Sequence, residues 1–203
     1  MKHITIKNLT IRYDNLTVLE DFNANFGAGL HWIHGHNGCG KSSLLKSLCG
    51  VLRVGNKTVN ILNFDINLKA LKAKSQLCFV ADKPEVYPFM TGIQFLQMVA
   101  KIKGVNLSKD LYQWLEDINL TQFQEVEFSH MSFGTRRKFT LSTCLIGEPS
   151  VVLLDEPFNG LDKQTCEHLK QWLLHAKKEK CILIASHDNR VLKHEYDSIV
   201  ELS

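Results

Sequence analysis

Hydrophobic and polar positions alternate from the first residues onward. Residues 3–7, 9–13 and 22–26 each follow a period of two, which predicts strands of an antiparallel sheet with one buried face. Asp14-Asn15 and Gly27-Ala28-Gly29 mark the turns between them. Leu30-His31-Trp32-Ile33-His34 reads as a further strand, and then Leu44, Leu45, Leu48, Val51 and Leu52 recur at helical spacing. Val54-Gly55-Asn56-Lys57 reads as a hairpin turn into the strand Thr58-Val59-Asn60-Ile61. A helix over 66–73 and a strand over 76–81 follow. The period then changes. Residues 83–147 read as mostly helical, with Thr91 capping 92–103, Ser108 capping 109–118 and Ser132 capping 133–146. Ser150-Val151-Val152-Leu153-Leu154 is an unbroken apolar run, the pattern of a strand buried on both faces of a parallel sheet. A helix over 163–178 and strands at 181–185 and 198–202 close the chain.

The pattern therefore predicts an α/β protein: a mostly parallel central sheet, an N-terminal antiparallel β subdomain and an inserted α-helical subdomain. One domain is expected, with 1–82 and 148–203 forming the core and 83–147 the insert. A length of 203 residues suffices for such a core. Twenty-four basic against 21 acidic residues leave a net charge of +3, too little to make nucleic acid the main partner. No apolar run approaches membrane-spanning length, and the alternating N-terminus is not a signal peptide. The six cysteines form no C-x-x-C pair, so reduced core thiols are expected rather than a metal site or disulfide framework. Cys39 differs, because it lies beside Lys41 rather than among apolar residues.

Cys39 belongs to the stretch on which the chemistry turns. Gly35-His36-Asn37-Gly38-Cys39-Gly40-Lys41-Ser42-Ser43 fits G-x-x-x-x-G-K-[ST], a loop between strand and helix that wraps nucleotide phosphates. Glycines let consecutive N–H groups turn towards phosphate oxygens, and the following helix presents its positive dipole end. Lys41 is placed to reach the β- and γ-phosphates, and the Ser42 hydroxyl to ligate Mg²⁺. The apolar run at 151–154 ends in Asp155-Glu156, at the strand end where open α/β sheets place ligands. Asp155 would then hold the Mg²⁺ shell and Glu156 polarise the water attacking the γ-phosphate. His187, after the next strand, would hydrogen-bond the γ-phosphate. Tyr13 reads equally as an ordinary strand aromatic or as a platform stacking on adenine.

The order of the P-loop, Met131-Ser132-Phe133-Gly134-Thr135, Leu154-Asp155-Glu156-Pro157, Asn159-Gly160-Leu161-Asp162 and Ser186-His187 resembles the ATPase domain of the ABC superfamily. The resemblance implies ATP and Mg²⁺ as cofactors, adenine stacking by Tyr13, and Asp162 at a dimer interface. It also implies that Ser132 and Gly134 contact the ATP of a second ATPase subunit, with a homodimer favoured over a heterodimer. A separate membrane-embedded permease is the implied partner, and the cytoplasmic face of a membrane the implied location. Two departures stand out. Met131, Phe133 and Thr135 replace three residues of the usual L-S-G-G-Q, and Asp82 stands where a glutamine is expected. Asp82 can either bind Mg²⁺ more tightly or repel the γ-phosphate. The stretch from Asp82 to Gly92 resembles single-permease exporter ATPases, including the haem-exporter type, and Tyr87, Pro88 and Phe89 are its expected docking residues.

A soluble ABC ATPase acting on ribosomes or DNA is the rival reading. It usually carries two fused ATPase domains, a coiled-coil insert or a basic arm, and none is visible. A nucleotide-binding regulator without hydrolysis is disfavoured by the joint presence of Glu156 and His187.

Overall fold

The computed structural model describes residues 2–14, 16–83, 85–187 and 190–202. The expected turn residue Asn15, Pro84 of the stretch after Asp82, and Asp188 beside His187 lie outside them. Strands β1 (Ile4–Tyr13), β2 (Leu16–Phe26), β4 (Val59–Ile61) and β5 (Phe64–Asp65) form an antiparallel sheet in the order β2-β1-β4-β5. Strands β3 (Gly29–His34), β6 (Leu77–Val80), β7 (Val151–Asp155), β8 (Cys181–Ala185) and β9 (Ser198–Glu201) form a parallel sheet in the order β6-β7-β8-β3-β9.

Burial on both faces explains why β7 as far as Leu154 and the whole of β8 are apolar. Val152, Leu154, Ile182 and Ile184 face one hydrophobic core. Val151, Leu153, Cys181, Leu183 and Ala185 face the other. The second core is closed by the antiparallel sheet and by α1 (Lys41–Leu48), through Leu44, Leu45 and Leu48. The first is closed by α3 (Gly92–Lys103), α4 (Lys109–Asp117), α5 (Phe133–Ser142) and α6 (Lys163–Ala176); α2 (Ala70–Ser75) lies on the opposite side. Helices α3 to α5 enter between β6 and β7, which are neighbours in the sheet. Cys39, Cys49, Cys78, Cys144 and Cys181 are buried within these two cores.

The expected caps explain the helix starts. Thr91 accepts from the Gln94 N–H in a reciprocal capping box, and Ser108 and Ser132 accept from Leu111 and Thr135. Several boundaries differ from expectation. The stretches 3–7 and 9–13 form one strand, because Asn8 takes up a bulge at φ +48 and its N–H bonds the Asn23 side chain at 3.0 Å. β2 begins at Leu16 rather than residue 22. Val51 and Leu52 fall beyond α1: Gly50 at φ +69 ends it, with Gly50 and Val51 N–H groups bonding back to Ser47 and Lys46, so Val51 is exposed.

The turn before β4 follows a helix and so closes no hairpin. The hairpin lies instead at Leu62 and Asn63, both at positive φ, between β4 and β5. α2 starts at Ala70 rather than 66, because the Asp65 carboxylate accepts from the N–H groups of Asn67 and Leu68 and makes a turn there. α5 yields to a 3₁₀ turn at Thr143–Leu145, where Ser142 and Thr143 hydroxyls bond back to Lys138 and Thr140 carbonyls.

The contact between α3 and α5 provides a test of core packing. Gly92 has no side chain because a Cβ there would sit 2.2 Å from Phe139 Cζ. Phe139 in turn packs edge-on against Phe128, with ring centroids 5.8 Å apart. Gly92→Ala is expected to destabilise the fold by about 1–3 kcal/mol through overpacking. Urea denaturation measures this, and a neutral or stabilised variant would show that the two helices are not in tight contact.

Candidate functional site

The strand order places four chain segments side by side at the C-terminal edge of the parallel sheet. Asp82 follows β6, Asp155-Glu156 end β7, His187 follows β8, and the P-loop follows β3. Gly40 takes φ +99, and a Cβ there would meet Val18 Cγ1 at 2.4 Å, so only glycine fits. Gly35 and Cys39 pack beneath the loop, where a Cβ on Gly35 would strike Cys39 Sγ at 2.4 Å. His36 is exposed, its Nδ1 2.9 Å from the Asn37 carbonyl.

A cleft of about 420 Å³ opens among the P-loop, Asp82 and the Asp155-Glu156 pair; His187 is not among its lining residues and is linked to it through Glu156. The loop lines it with Asn37, Gly38, Gly40, Lys41, Ser42 and Ser43, the opposite wall with Asp82, Asp155 and Glu156, and β1 with Tyr13. Tyr13 keeps its ring half-exposed, with its hydroxyl 3.1 Å from Ser43 Oγ. The buried Lys41 ammonium donates to the carbonyls of Gly35 at 2.7 Å and His36 at 2.9 Å. A larger hollow of about 710 Å³ lies between the helical insert and α6, beside Trp172 and His175, and contains none of the motif residues.

Burial raises the pKa of Asp155, and Asp82 and Glu156 add to the rise; a hydrogen bond with Ser42 and the charge of Arg137 oppose it. The hydroxyl and carboxylate of Ser42 and Asp155 form an oxygen-only donor pair suited to a hard cation such as Mg²⁺. Among the described residues no group of three His, Cys, Asp or Glu side chains could cage a metal. A cation here would therefore complete its shell with phosphate oxygens and water.

The Glu156 carboxylate accepts three hydrogen bonds: from Ser186 Oγ at 2.8 Å, the His187 N–H at 3.0 Å and His187 Nδ1 at 2.8 Å. Asp82 accepts from Asn159 Nδ2 at 3.2 Å. Ser186 and Asn159 carried no assignment in the sequence reading. Neither did Arg137, whose guanidinium is fully buried under the two acids and donates to the carbonyls of Ala81, Asp82, Asp155 and Glu156. In sequence it sits within Arg136-Arg137-Lys138, which resembles a solvated face. The available signal was its four-residue spacing with Leu141, which puts both on the buried stripe of α5.

Ser132 and Gly134 do not line the cleft. Ser132 caps α5, and Gly134 meets the loop after β7, where a Cβ would lie 2.6 Å from the Gly160 carbonyl oxygen. Asp162 caps α6 through the Thr165 N–H at 2.8 Å and pairs with Lys138 at 2.6 Å.

Residues 19–159 match the family model described as ABC transporter. The chain belongs to the ABC transporter family. It is 28% identical over 190 residues to an uncharacterized ABC transporter ATP-binding protein, YhcH, of Bacillus subtilis, covering 91% of this chain and 61% of that protein. It is also 28% identical, over 189 residues, to the bacitracin transport ATP-binding protein BcrA of Enterococcus faecalis, with the same two coverages of 91% and 61%. The chain thus spans about three-fifths of these two relatives. An ATP-binding subunit of an ABC transporter has the same fold at a TM-score of 0.89 and 25% identity, over 98% of this chain and 85% of that one. A dimeric bacterial ABC transporter cassette superimposes at a TM-score of 0.86 and 22% identity, over 98% and 94%, which extends the likeness in fold. The expected α/β architecture is that of these ABC cassettes.

The Asp162 cap makes a pH-dependent prediction. Burial acts to raise its pKa, but the Lys138 and Thr165 bonds outweigh this and hold it at about 2, below the ordinary 3.8. A depressed carboxylate stabilises the fold above its unfolded pKa, and that contribution is lost as pH falls towards the folded value. The stability gap between wild type and Lys138→Met should therefore be full at neutral pH and shrink between about pH 4 and pH 2. Urea denaturation at stepped pH checks this, with a pH-independent gap as the contrary result.

Proposed function

We propose that this ABC family chain is the ATP-hydrolysing subunit of a transporter. The observation that supports it best is the convergence of Lys41, the Ser42–Asp155 pair and Glu156 on one cleft. Loop N–H groups and the start of α1 would receive the phosphates, and Lys41 would exchange its carbonyl partners for the β- and γ-phosphates. The Tyr13 ring would cover the adenine. Ser42 and Asp155 would hold Mg²⁺, which when bound offsets phosphate charge; Asp82 stands beside them as the remaining carboxylate. Glu156, already oriented by Ser186 and His187, would polarise the attacking water. His187 donates to Glu156 through Nδ1, so Nε2 is the nitrogen left to face the γ-phosphate, to which it would donate only in the imidazolium form.

The position of Ser132 and Gly134 outside the cleft supports a shared site, in which a second copy supplies them head to tail. Tyr87 and Phe89 are 57% and 70% exposed, with ring centroids 5.6 Å apart, and with Pro88 they suit docking to a permease helix. Among the described residues no helix is long and apolar enough to cross a membrane. The partner in this reading is a separate membrane-embedded permease. The subunit would then work on the cytoplasmic face of the membrane, without a nucleic-acid partner.

Two substitutions separate binding from chemistry. Lys41→Ala should weaken a fluorescent ATP analogue by about tenfold or more, because it removes a charge-assisted contact. Glu156→Gln should keep ATP bound while turnover falls by at least about 10²-fold, the scale of general-base loss. Wild-type affinity in the first, or near-normal turnover in the second, removes that residue's assignment.

The shared site predicts that specific activity rises with protein concentration as dimers form. Ser132→Arg should abolish that rise. Activity that stays flat while light scattering reports only monomer would rule the shared site out.

A further inference from the structure

Arg137 combines complete burial, full charge and four backbone partners in a way that stability alone does not require. The β6–β7 ladder ends at the pair Val80 and Leu154. Beyond that rung the pairing stops, leaving the carbonyls of Ala81 and Asp82 after one strand and of Asp155 and Glu156 at the end of the other. The guanidinium fills the gap. Nη1 donates to Ala81 and, at 2.6 Å, to Asp82; Nη2 donates to Asp155 at 2.6 Å and to Glu156 at 2.7 Å. A planar fork is suited to this bridging, whereas a lysine ammonium would offer a single point of attachment. Nε is buried without a partner, so the donors are concentrated on the strand ends.

The residue most affected is Glu156. It is a non-glycine residue at φ +48, a conformation that persists only when its surroundings over-determine it. Its N–H bonds Ala185 at 2.8 Å, its carboxylate is held by Ser186 and His187, and its carbonyl is held by Arg137. Arg137 lies on α5, the helix that Ser132 caps and on which Gly134 sits. A shift of α5 therefore acts directly on the backbone of Glu156 and of Asp82.

We propose that Arg137 is a positioning residue for hydrolysis, replacing the missing rungs between β6 and β7 so that the placement of Glu156 depends on α5. The inference rests on reading the cleft as an ATPase site with Glu156 acting on water. Misplacing a reacting group by about 1 Å can cost on the order of 10²-fold in rate. A loss confined to the chemical step is therefore the expected signature.

The test compares Arg137→Lys, Arg137→Ala and Glu156→Gln with wild type, recording KM for Mg-ATP, kcat, binding of a fluorescent ATP analogue and thermal stability. Arg137→Lys should bind the analogue within about threefold of wild type while kcat falls at least about tenfold. In Arg137→Ala, millimolar methylguanidinium should restore part of kcat without moving KM, and should do nothing for Glu156→Gln. Should Arg137→Ala fail to fold, Arg137→Lys decides alone. Wild-type kcat in Arg137→Lys, or a loss that appears in KM and binding instead, overturns the proposal. Near-normal turnover in Glu156→Gln would instead overturn the reading of the site on which the proposal rests.

Discussion

Every parallel strand ends with backbone groups that have no next rung to bond, and the organisation of this site follows from how those groups are satisfied. The ammonium of Lys41 takes up carbonyls at the end of β3, and the guanidinium of Arg137 those at the ends of β6 and β7. The Glu156 carboxylate takes the N–H after β8, and the Trp32 indole donates to the Ser186 carbonyl. An orphaned buried backbone group costs about 1–3 kcal/mol. Four such carbonyls are comparable with the several kcal/mol needed to bury one charge. Burial lowers the pKa of the guanidinium, while the charges of Asp82, Asp155 and Glu156 favour its protonated form. The edge that must be capped for the sheet to end is thus also where charged side chains collect.

The helical insert is not a separate body resting on this edge. Leu96, Leu111, Trp114, Phe128 and Phe139 belong to the same hydrophobic core as Val152, Leu154, Ile182 and Ile184. Lys138 ties the insert together at the surface, donating to the Ile118 carbonyl at 2.9 Å and pairing with Asp162 at the start of α6. Packed interiors transmit displacement because they have little free volume. Contacts between α5 and its surroundings are consequently felt at the strand ends.

Much of this was legible in the sequence. The P-loop, the acids after β7 and the capping residues Thr91, Ser108 and Ser132 act locally, within a few residues of what they control, whereas the Asp162 cap of α6 emerged only from the structure. The alternation that feeds two cores is also local. Helical spacing could have signalled the burial of Arg137, but its role was not legible, because its partners are backbone carbonyls at the ends of β6 and β7, and carbonyls carry no sequence signal. The hairpin at Leu62-Asn63 escaped for a related reason: a leucine at positive φ is tolerated there by the pairing around it, against its own preference. Val51 and Leu52 continued a helical period that Gly50 had already broken.

The two-sided burial of β7 has a consequence for folding accuracy. A strand with a polar face resists a one-residue slip, because the slip would expose its apolar side chains. β7 has no such safeguard, since Val151 to Leu154 are apolar on both faces and a slipped strand would look equally greasy. Error correction must come from the polar end of the strand. Only the native alignment brings the Asp155 and Glu156 carbonyls under the guanidinium and the Asp155 carboxylate to Ser42. The polar residues gathered at the cleft thereby also proofread how the sheet is assembled.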